Sequence, residues 1–224
     1  MSTTSPADRP LRRDAERNRQ RILEVAREAF AEDGLAVTLD EIARRAGVGV
    51  GTVYRRFPDT EQLIDALFEE RMGELVTIAE DALRCEDAWD GLVAFLEGAT
   101  AAHAGDRGLK EVALSGAHGR DRVARARQLM FPLVTRLVAR AHEQGTLRPD
   151  VEATDMPLLQ LMLGSLSDCT RDVDPAIWRR FLGILTDGLR TRRDEPTPLA
   201  QAGLVPEQVQ RTMRCWRPSA SRQP

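Results

Sequence analysis

At 224 residues, with 42% apolar and 30% charged content, the chain can fold into one or two domains with a substantial core, which excludes an intrinsically disordered polymer. Its net charge of −3 counts against a nucleic-acid binder only until it is divided: residues 1–60 hold 11 Arg against 10 acidic residues, and Arg9–Arg21 holds six Arg against Asp14 and Glu16. No apolar run approaches the roughly 18–20 residues of a membrane span, and Met1–Arg13 has no apolar signal core, so the expected compartment is the cytoplasm.

Met1–Arg13 carries Ser, Thr and Pro without a periodic pattern and reads as a flexible basic arm. Its Arg9, Arg12 and Arg13 either reach phosphates or a minor groove, or serve only as solvated charge. Helical spacing begins next: Ile22, Leu23, Ala26, Ala29 and Phe30 predict a helix over Ala15–Asp33, stopped by Gly34. Thr38 followed three residues later by Glu41 is a capping-box pattern, in which the hydroxyl takes an N–H and the carboxylate reaches back. Leu39, Ile42, Ala43 and Ala46 then make the apolar face of a short helix. Gly47 marks a turn through positive φ, and Val48 plugs it. Val53 and Phe57 point inward from a second helix, leaving Val50, Thr52, Arg55 and Arg56 on other faces. Helix, Gly-containing turn, helix over residues 38–57 is the helix-turn-helix pattern, whose second helix enters a DNA major groove.

Asp59 with Gln62 predicts the cap of a long helix through Leu63, Ile64, Leu67, Phe68, Leu75, Val76, Ala79 and Leu83. Starting against the reader and ending in the next domain, it is the natural lever between them. Asp87–Gly105 carries Trp89, Leu92, Val93, Leu96, Ala99 and His103 on one side. A short element over Gly108–Leu114 and a break over Ser115–Gly119 follow. Arg122–Gln144 is amphipathic, with Val123, Ala126, Met130, Leu133, Val134, Leu137 and Ala141 expected inward and Pro132 expected to kink it. Glu152–Ser167 is apolar nearly all round and has to be covered on more than one side. Pro175–Arg190 contributes Ile177, Trp178, Phe181, Leu182, Leu185 and Leu189. These last two helices are candidates for a dimer interface through Leu159, Leu163, Leu166, Phe181 and Leu185; the alternative is that both fill a monomer core. After Arg193 a Pro-rich linker leads to Pro206–Trp216, where Val209, Met213 and Trp216 form a stripe that either docks on the bundle or frays. No repeat is present and no segment requires a strand.

The run T-x-x-x-I-A-x-x-A-G-V-x-x-G-T-V-Y-x-x-F, followed by P-D-T-E-Q-L-I, resembles the TetR family of bacterial transcriptional regulators, closely from about Arg17 to Phe68. D-R-G-L near Asp106, R-P-D-V near Asp150 and W-R-R-F-L-x-x-L-x-D-G-L-R from Trp178 are similar to the SbtR-like C-terminal subgroup. The resemblance implies an all-α fold: an N-terminal three-helix DNA-binding domain over 14–68 and a helical ligand-binding and dimerisation bundle over 69–192. The arm 1–13 and a tail 193–224 flank them. It also implies that Thr38, Val50, Gly51, Thr52, Tyr54, Arg55 and Thr60 face DNA, that the protein works as a homodimeric repressor, and that a small-molecule effector releases it; the alternative is an activator or ligand-independent regulator of the same fold. Val50 stands where many members have a polar or basic residue, Thr60 where a phosphate-binding Lys is usual, and Gly49 where Ser usually caps.

The residue types fit that chemistry on their own terms. Gly51 permits close backbone approach; Thr52 donates to a phosphate or touches a thymine methyl; Tyr54 places a hydroxyl on a phosphate. Arg55 and Arg56 supply charge, and a bidentate guanine contact by either is worth about 1–3 kcal/mol of discrimination. Thr38 at a helix N-terminus caps and meets a phosphate. One helix reads only a few base pairs, so useful specificity requires two copies and a near-palindromic operator. Trp89, Phe95, His103, Met130, Phe131 and Leu133 are ligand-pocket candidates, with ordinary core packing as the alternative for each. His103, His118 and His142 have no metal-like spacing, so neither a metal nor a cofactor beyond the unidentified effector is expected. Cys85, Cys169 and Cys215 lack a C-x-x-C pair, which argues against a disulfide framework and leaves a redox-sensing thiol open. No H-E-x-x-H or G-x-S-x-G occurs. Gly47-Val-Gly49-Val-Gly51 follows a helix where a dinucleotide loop requires a strand, so an enzyme is not expected. A helical adaptor would leave the Arg55–Arg56 face unexplained.

Overall fold

The computed structural model describes residues 8–104, 118–192, 197–199 and 201–213, with side chains from Glu16 onward except at Leu35. Its regular elements are helices: α1 (Asp8–Asp33), α2 (Leu39–Ala46), α3 (Val50–Arg56), α4 (Thr60–Arg84), α5 (Ala88–Ala104), α6 (Gly119–Glu143), α7 (Asp155–Thr170), α8 (Trp178–Leu189) and α9 (Pro206–Met213), with a 3-10 turn at Gly34–Ala36. Two compact units divide the chain. The first holds α1 to α3, α4 up to Gly73 and the start of α6 up to Arg127; the second holds the remainder.

In the first unit Ile22, Leu23, Ala26 and Phe30 of α1 are buried, as are Leu39, Ile42 and Ala46 of α2, Val53 of α3 and Leu63, Ile64 and Leu67 of α4. Each fully buried Leu, Ile or Phe contributes about 1.5–3 kcal/mol. Helix α1 starts at Asp8, seven residues before the expected start at Ala15, so only Met1–Ala7 of the expected arm lies outside the described residues. Pro10 sits in the first turn, where a backbone donor has no intrahelical partner, and the Arg- and Glu-rich run after it forms helix readily. Arg27 Nη2 bonds Glu70 Oε2 at 2.9 Å and Gln20 Nε2 bonds its Oε1 at 3.0 Å, tying α1 to α4. Asp59 Oδ1 accepts from the Gln62 N–H at 2.8 Å and opens α4, as its spacing predicts.

Helix α6 departs from its expected face. Arg122, not Val123, is the inward residue: its side chain is 0% exposed while Val123 stands in solvent. Arg122 Nε bonds Asp65 Oδ1 at 2.9 Å and Nη2 bonds Glu61 Oε2 at 2.7 Å. Arg125 bonds Asp65 at 2.9 Å and Glu69 at 3.1 Å, and His118 Nδ1 lies 3.3 Å from Glu61 Oε2. Glu61, Asp65 and Glu69 recur every four residues and form one acidic stripe on α4, which a pair of Arg three apart on α6 matches. Burial pushes the Asp65 carboxyl up, but its bonds to Arg122 and Arg125 outweigh that and hold it below its ordinary value. The expected short element over Gly108–Leu114 lies outside the described residues.

The second unit packs Trp89, Leu92, Phe95 and Leu96 of α5 against Leu137 and Val138 of α6, Met156 and Leu163 of α7, and Trp178 and Leu182 of α8. Asp87 caps α5 through the N–H groups of Trp89 and Asp90, at 2.7 and 3.0 Å. Arg140 reaches the Cys85 carbonyl at 2.7 Å, and Arg190 stacks over the Trp89 ring at 4.7 Å from its centroid. One isolated antiparallel bridge, Leu147 to Arg190, joins the loop after α6 to the end of α8. Helix α6 runs through Pro132 as a single element. Helices α7 and α8 begin three residues later than the apolar pattern predicts. Among the described residues no helix is long and apolar enough to cross a membrane.

Candidate nucleic-acid interface

Thr38, extended at φ −101° and ψ 158°, caps α2: its Oγ1 accepts from the Glu41 N–H at 3.2 Å. The reciprocal half of the expected capping box is absent. Instead of reaching back, the Glu41 carboxylate bonds Arg44 at 2.6 and 2.8 Å and Arg45 at 2.8 Å. A charge-assisted bond to a guanidinium outcompetes one to a neutral N–H. These bonds, Arg44's foremost, draw the Glu41 carboxyl down to about 2. Arg45 is also gripped by Glu32 at 2.8 Å and Asp33 at 2.6 Å, so its charge is spent inside the unit.

The turn closes at Gly47, φ 66° and ψ 31°, a left-handed conformation that a side chain would strain. Its N–H bonds the Arg44 carbonyl at 3.3 Å, and the Val48 N–H bonds the Ala43 carbonyl at 3.1 Å, which is the Schellman pair. Gly49 caps α3 with its backbone alone: its carbonyl accepts from Thr52 at 2.8 Å and from Val53 at 3.3 Å. Val53 and Phe57 are buried, and this fixes which way α3 is rolled.

The outer face of α3 therefore shows Val50, Gly51, Tyr54, Arg55 and Arg56, all exposed, with Thr52 half-buried at its edge. A Cβ added to Gly51 would meet nothing within 4 Å, so the space above it is open to another backbone. Arg55 lies along its own helix, Nε to the Gly51 carbonyl at 3.1 Å and Nη2 to Thr52 Oγ1 at 3.3 Å. Arg56 sits 3.7 Å from Glu16 of α1, both side chains in solvent. The Tyr54 hydroxyl donates to Asp40 of α2, which raises its pKa by favouring the protonated phenol. Thr38 is exposed at the start of α2 and Thr60 half-buried at the start of α4. Asp40 and Glu16, the partners of Tyr54 and Arg56, escape sequence reasoning because they pair across helices at no fixed spacing.

The six pocket candidates fall in the second unit. Trp89 and Phe95 are core residues, while Met130 and Leu133 are half-buried against that core. His103 is pressed onto Gly164 of α7, where a Cβ would lie 2.5 Å from its Nε2. Phe131 is the exception, exposed at the surface. Among the dimer candidates Leu163 is 1% exposed and belongs to the core of its own chain, which corrects its expected place at an interface. Leu159, Leu166 and Leu185 are half-buried beside it, and Phe181 is exposed. Among the described residues no group of three or more His, Cys, Asp or Glu is placed to hold a metal ion.

Residues 22–67 match the model of bacterial regulatory proteins of the tetR family, and residues 87–191 match the SbtR-like C-terminal domain of transcriptional regulators. The crystal structure of a TetR transcription regulatory protein from Mycobacterium vanbaalenii is 36% identical and superposes with a TM-score of 0.63 over 81% of this chain and 100% of its own. A TetR regulator from Streptomyces coelicolor is 31% identical, with a TM-score of 0.60 over 77% of this chain and 98% of its own. An HTH-type transcriptional regulator of Staphylococcus aureus is 37% identical over 68 residues, a stretch covering 30% of this chain and 37% of that relative. The sequence motifs, the helix-turn-helix geometry and these likenesses agree: the chain belongs to the TetR family of transcriptional regulators, a non-enzymatic family, and carries an SbtR-like C-terminal domain.

Proposed function

We propose that the protein is a cytoplasmic, homodimeric repressor that binds a near-palindromic operator through α3 and is released by a small-molecule effector. The observation that carries the DNA half is the outer face of α3, which is small at Gly51, polar at Thr52 and Tyr54, and cationic at Arg55 and Arg56. On this reading Tyr54 and Thr38 meet phosphates, Val50 suits a thymine methyl, and Arg55 or Arg56 swings from its present partner to a base edge. Thr60 adds a weak phosphate contact in place of a lysine. The proposed division of labour is residues 14–68 reading DNA and 69–192 sensing and pairing, with α4 as the helix that runs from one into the other.

The effector half rests on the family, whose C-terminal domains bind small molecules, and on the largely apolar interior around Trp89, Phe95, Met130 and Leu133. A ligand that favours one spacing of two readers over another shifts DNA affinity by that difference alone. Pairing of two copies is supported by bare apolar side chains on two helices that pack together: Leu158, Leu161 and Met162 of α7 are 55–60% exposed, and Phe181 and Ile184 of α8 are 41–47% exposed. The test is a gel shift on DNA upstream of the protein's own gene. Arg55→Ala should weaken binding by about 1–3 kcal/mol with thermal stability intact, and Tyr54→Ala should weaken it as well. Unchanged binding by both variants would reject α3 as the reader.

A further inference from the structure

Beyond α8 the chain is anchored along that helix. The Thr197 N–H donates to Asp187 Oδ2 at 3.0 Å, and Arg180 Nη1 donates to the Gln201 carbonyl at 2.9 Å. Leu199 lies against Gly183, where a Cβ would be 3.3 Å from Leu199 Cδ2. The segment then forms α9, which touches α7 along one edge: Thr212 and Met213 face Ser165, Leu166 and Cys169 across an open cleft of about 320 Å³. No residue of α9 is buried, and Val205, Val209 and Met213, one stripe at helical spacing, are 44–57% exposed. An eight-residue helix is too short to persist in water on its own propensity, so its stripe requires a cover. The SbtR-like domain match stops at residue 191, so α9 lies beyond the part of the chain that the domain model describes.

Helix α7 carries a matching vacancy. Its stripe runs Leu158, Leu161, Met162, Ser165, Leu166, Cys169; the last three border α9, whereas the first three are bare. Each copy thus offers an uncovered α9 at one end of α7 and an uncovered apolar half-stripe at the other. A two-fold axis through the middle of α7 sets the beginning of one α7 beside the end of its mate. We propose that α9 is a clasp for the second copy, laying Val209 and Met213 on Leu158 and Leu161 of the partner. The inference rests on the two-copy reading above and adds a specific segment to it.

Sedimentation equilibrium of the full chain tests it with Val209→Asp, Leu158→Asp and the double variant. Val209 is a surface residue of α9, and unfolding curves at monomer concentrations check that the fold of each variant survives. The wild type should be a dimer, each single change should raise the dissociation constant tenfold or more, and the double should add little to the worse single, because both remove one contact. A chain ending at Arg192 should behave like Val209→Asp. Wild-type affinity in both Val209→Asp and the shortened chain would overturn the clasp and leave the dimer standing. A wild type that sediments as a monomer would overturn the dimer and the clasp together.

Discussion

On the proposed reading Tyr54 holds two duties in one side chain. Its hydroxyl is a donor already engaged by Asp40, and its ring stands half in solvent, so removing the hydroxyl costs the fold little. Tyr54→Phe should therefore keep the wild-type melting temperature and lose roughly tenfold in operator affinity, the worth of one bond to a charged phosphate. Equal losses in both would mean the residue is structural. Glu41 gives a different kind of signal. Its carboxyl is held at about 2 against an ordinary 4.5, so the unfolded chain binds its proton more readily than the folded one. The stabilisation is full above pH 4.5 and disappears as the pH falls toward 2. Glu41→Gln should flatten part of the acid limb of a melting-temperature profile and leave its neutral limb displaced downward; superimposable profiles would contradict the assignment. Thr38, Gly47, Val53 and Phe57 were all readable from the sequence because caps, turns and helical faces act within four residues. Asp40 was not, since nothing local distinguishes it from any other first-turn acid.

Helix α6 shows how periodicity fails where charge decides. Apolar spacing puts Val123 inward, yet Arg122 is the buried residue because Glu61 and Asp65 wait on α4. The signal was present as an acidic stripe four residues apart, facing Arg three apart, but reading it requires knowing that the two helices meet. Arg122→Ala should destabilise the protein by about 1–3 kcal/mol. That figure sits below the usual 3–5 for a broken buried pair because the two carboxylates remain partly open to water. Arg122→Met should recover some of the loss by filling the space, as monitored by urea unfolding, whereas a null effect of both would make the cluster ornamental. Ile42→Ala on α2, fully buried, should cost about 2–5 kcal/mol on the same assay. The all-round apolar character of α7 was evident in the sequence. Which of its leucines fill the core was not, because Leu163 and Leu161 differ only by the roll of the helix.

Two copies of a short Arg-edged helix are needed to read enough sequence, and a two-fold pair requires half-sites a helical turn or a multiple apart, about 34–36 Å at the least. Binding should also weaken steeply with salt as counterions are released, even though the chain as a whole is slightly acidic, because the charge that matters is local. A flat salt dependence would point to a partner other than DNA. The all-helical architecture and the helix-turn-helix were readable in the sequence because both rest on short-range rules and an in-register motif. The effector was not, because apolar residues lining a cavity and apolar residues filling a core follow the same pattern. The most direct measurement is nuclease footprinting, with stoichiometry from anisotropy, on the DNA upstream of the protein's own gene and its neighbours. One symmetric protected stretch occupied by two chains is expected, lost in the Arg55→Ala, Tyr54→Ala double variant. No protection at low ionic strength, or protection unchanged in that variant, would contradict it.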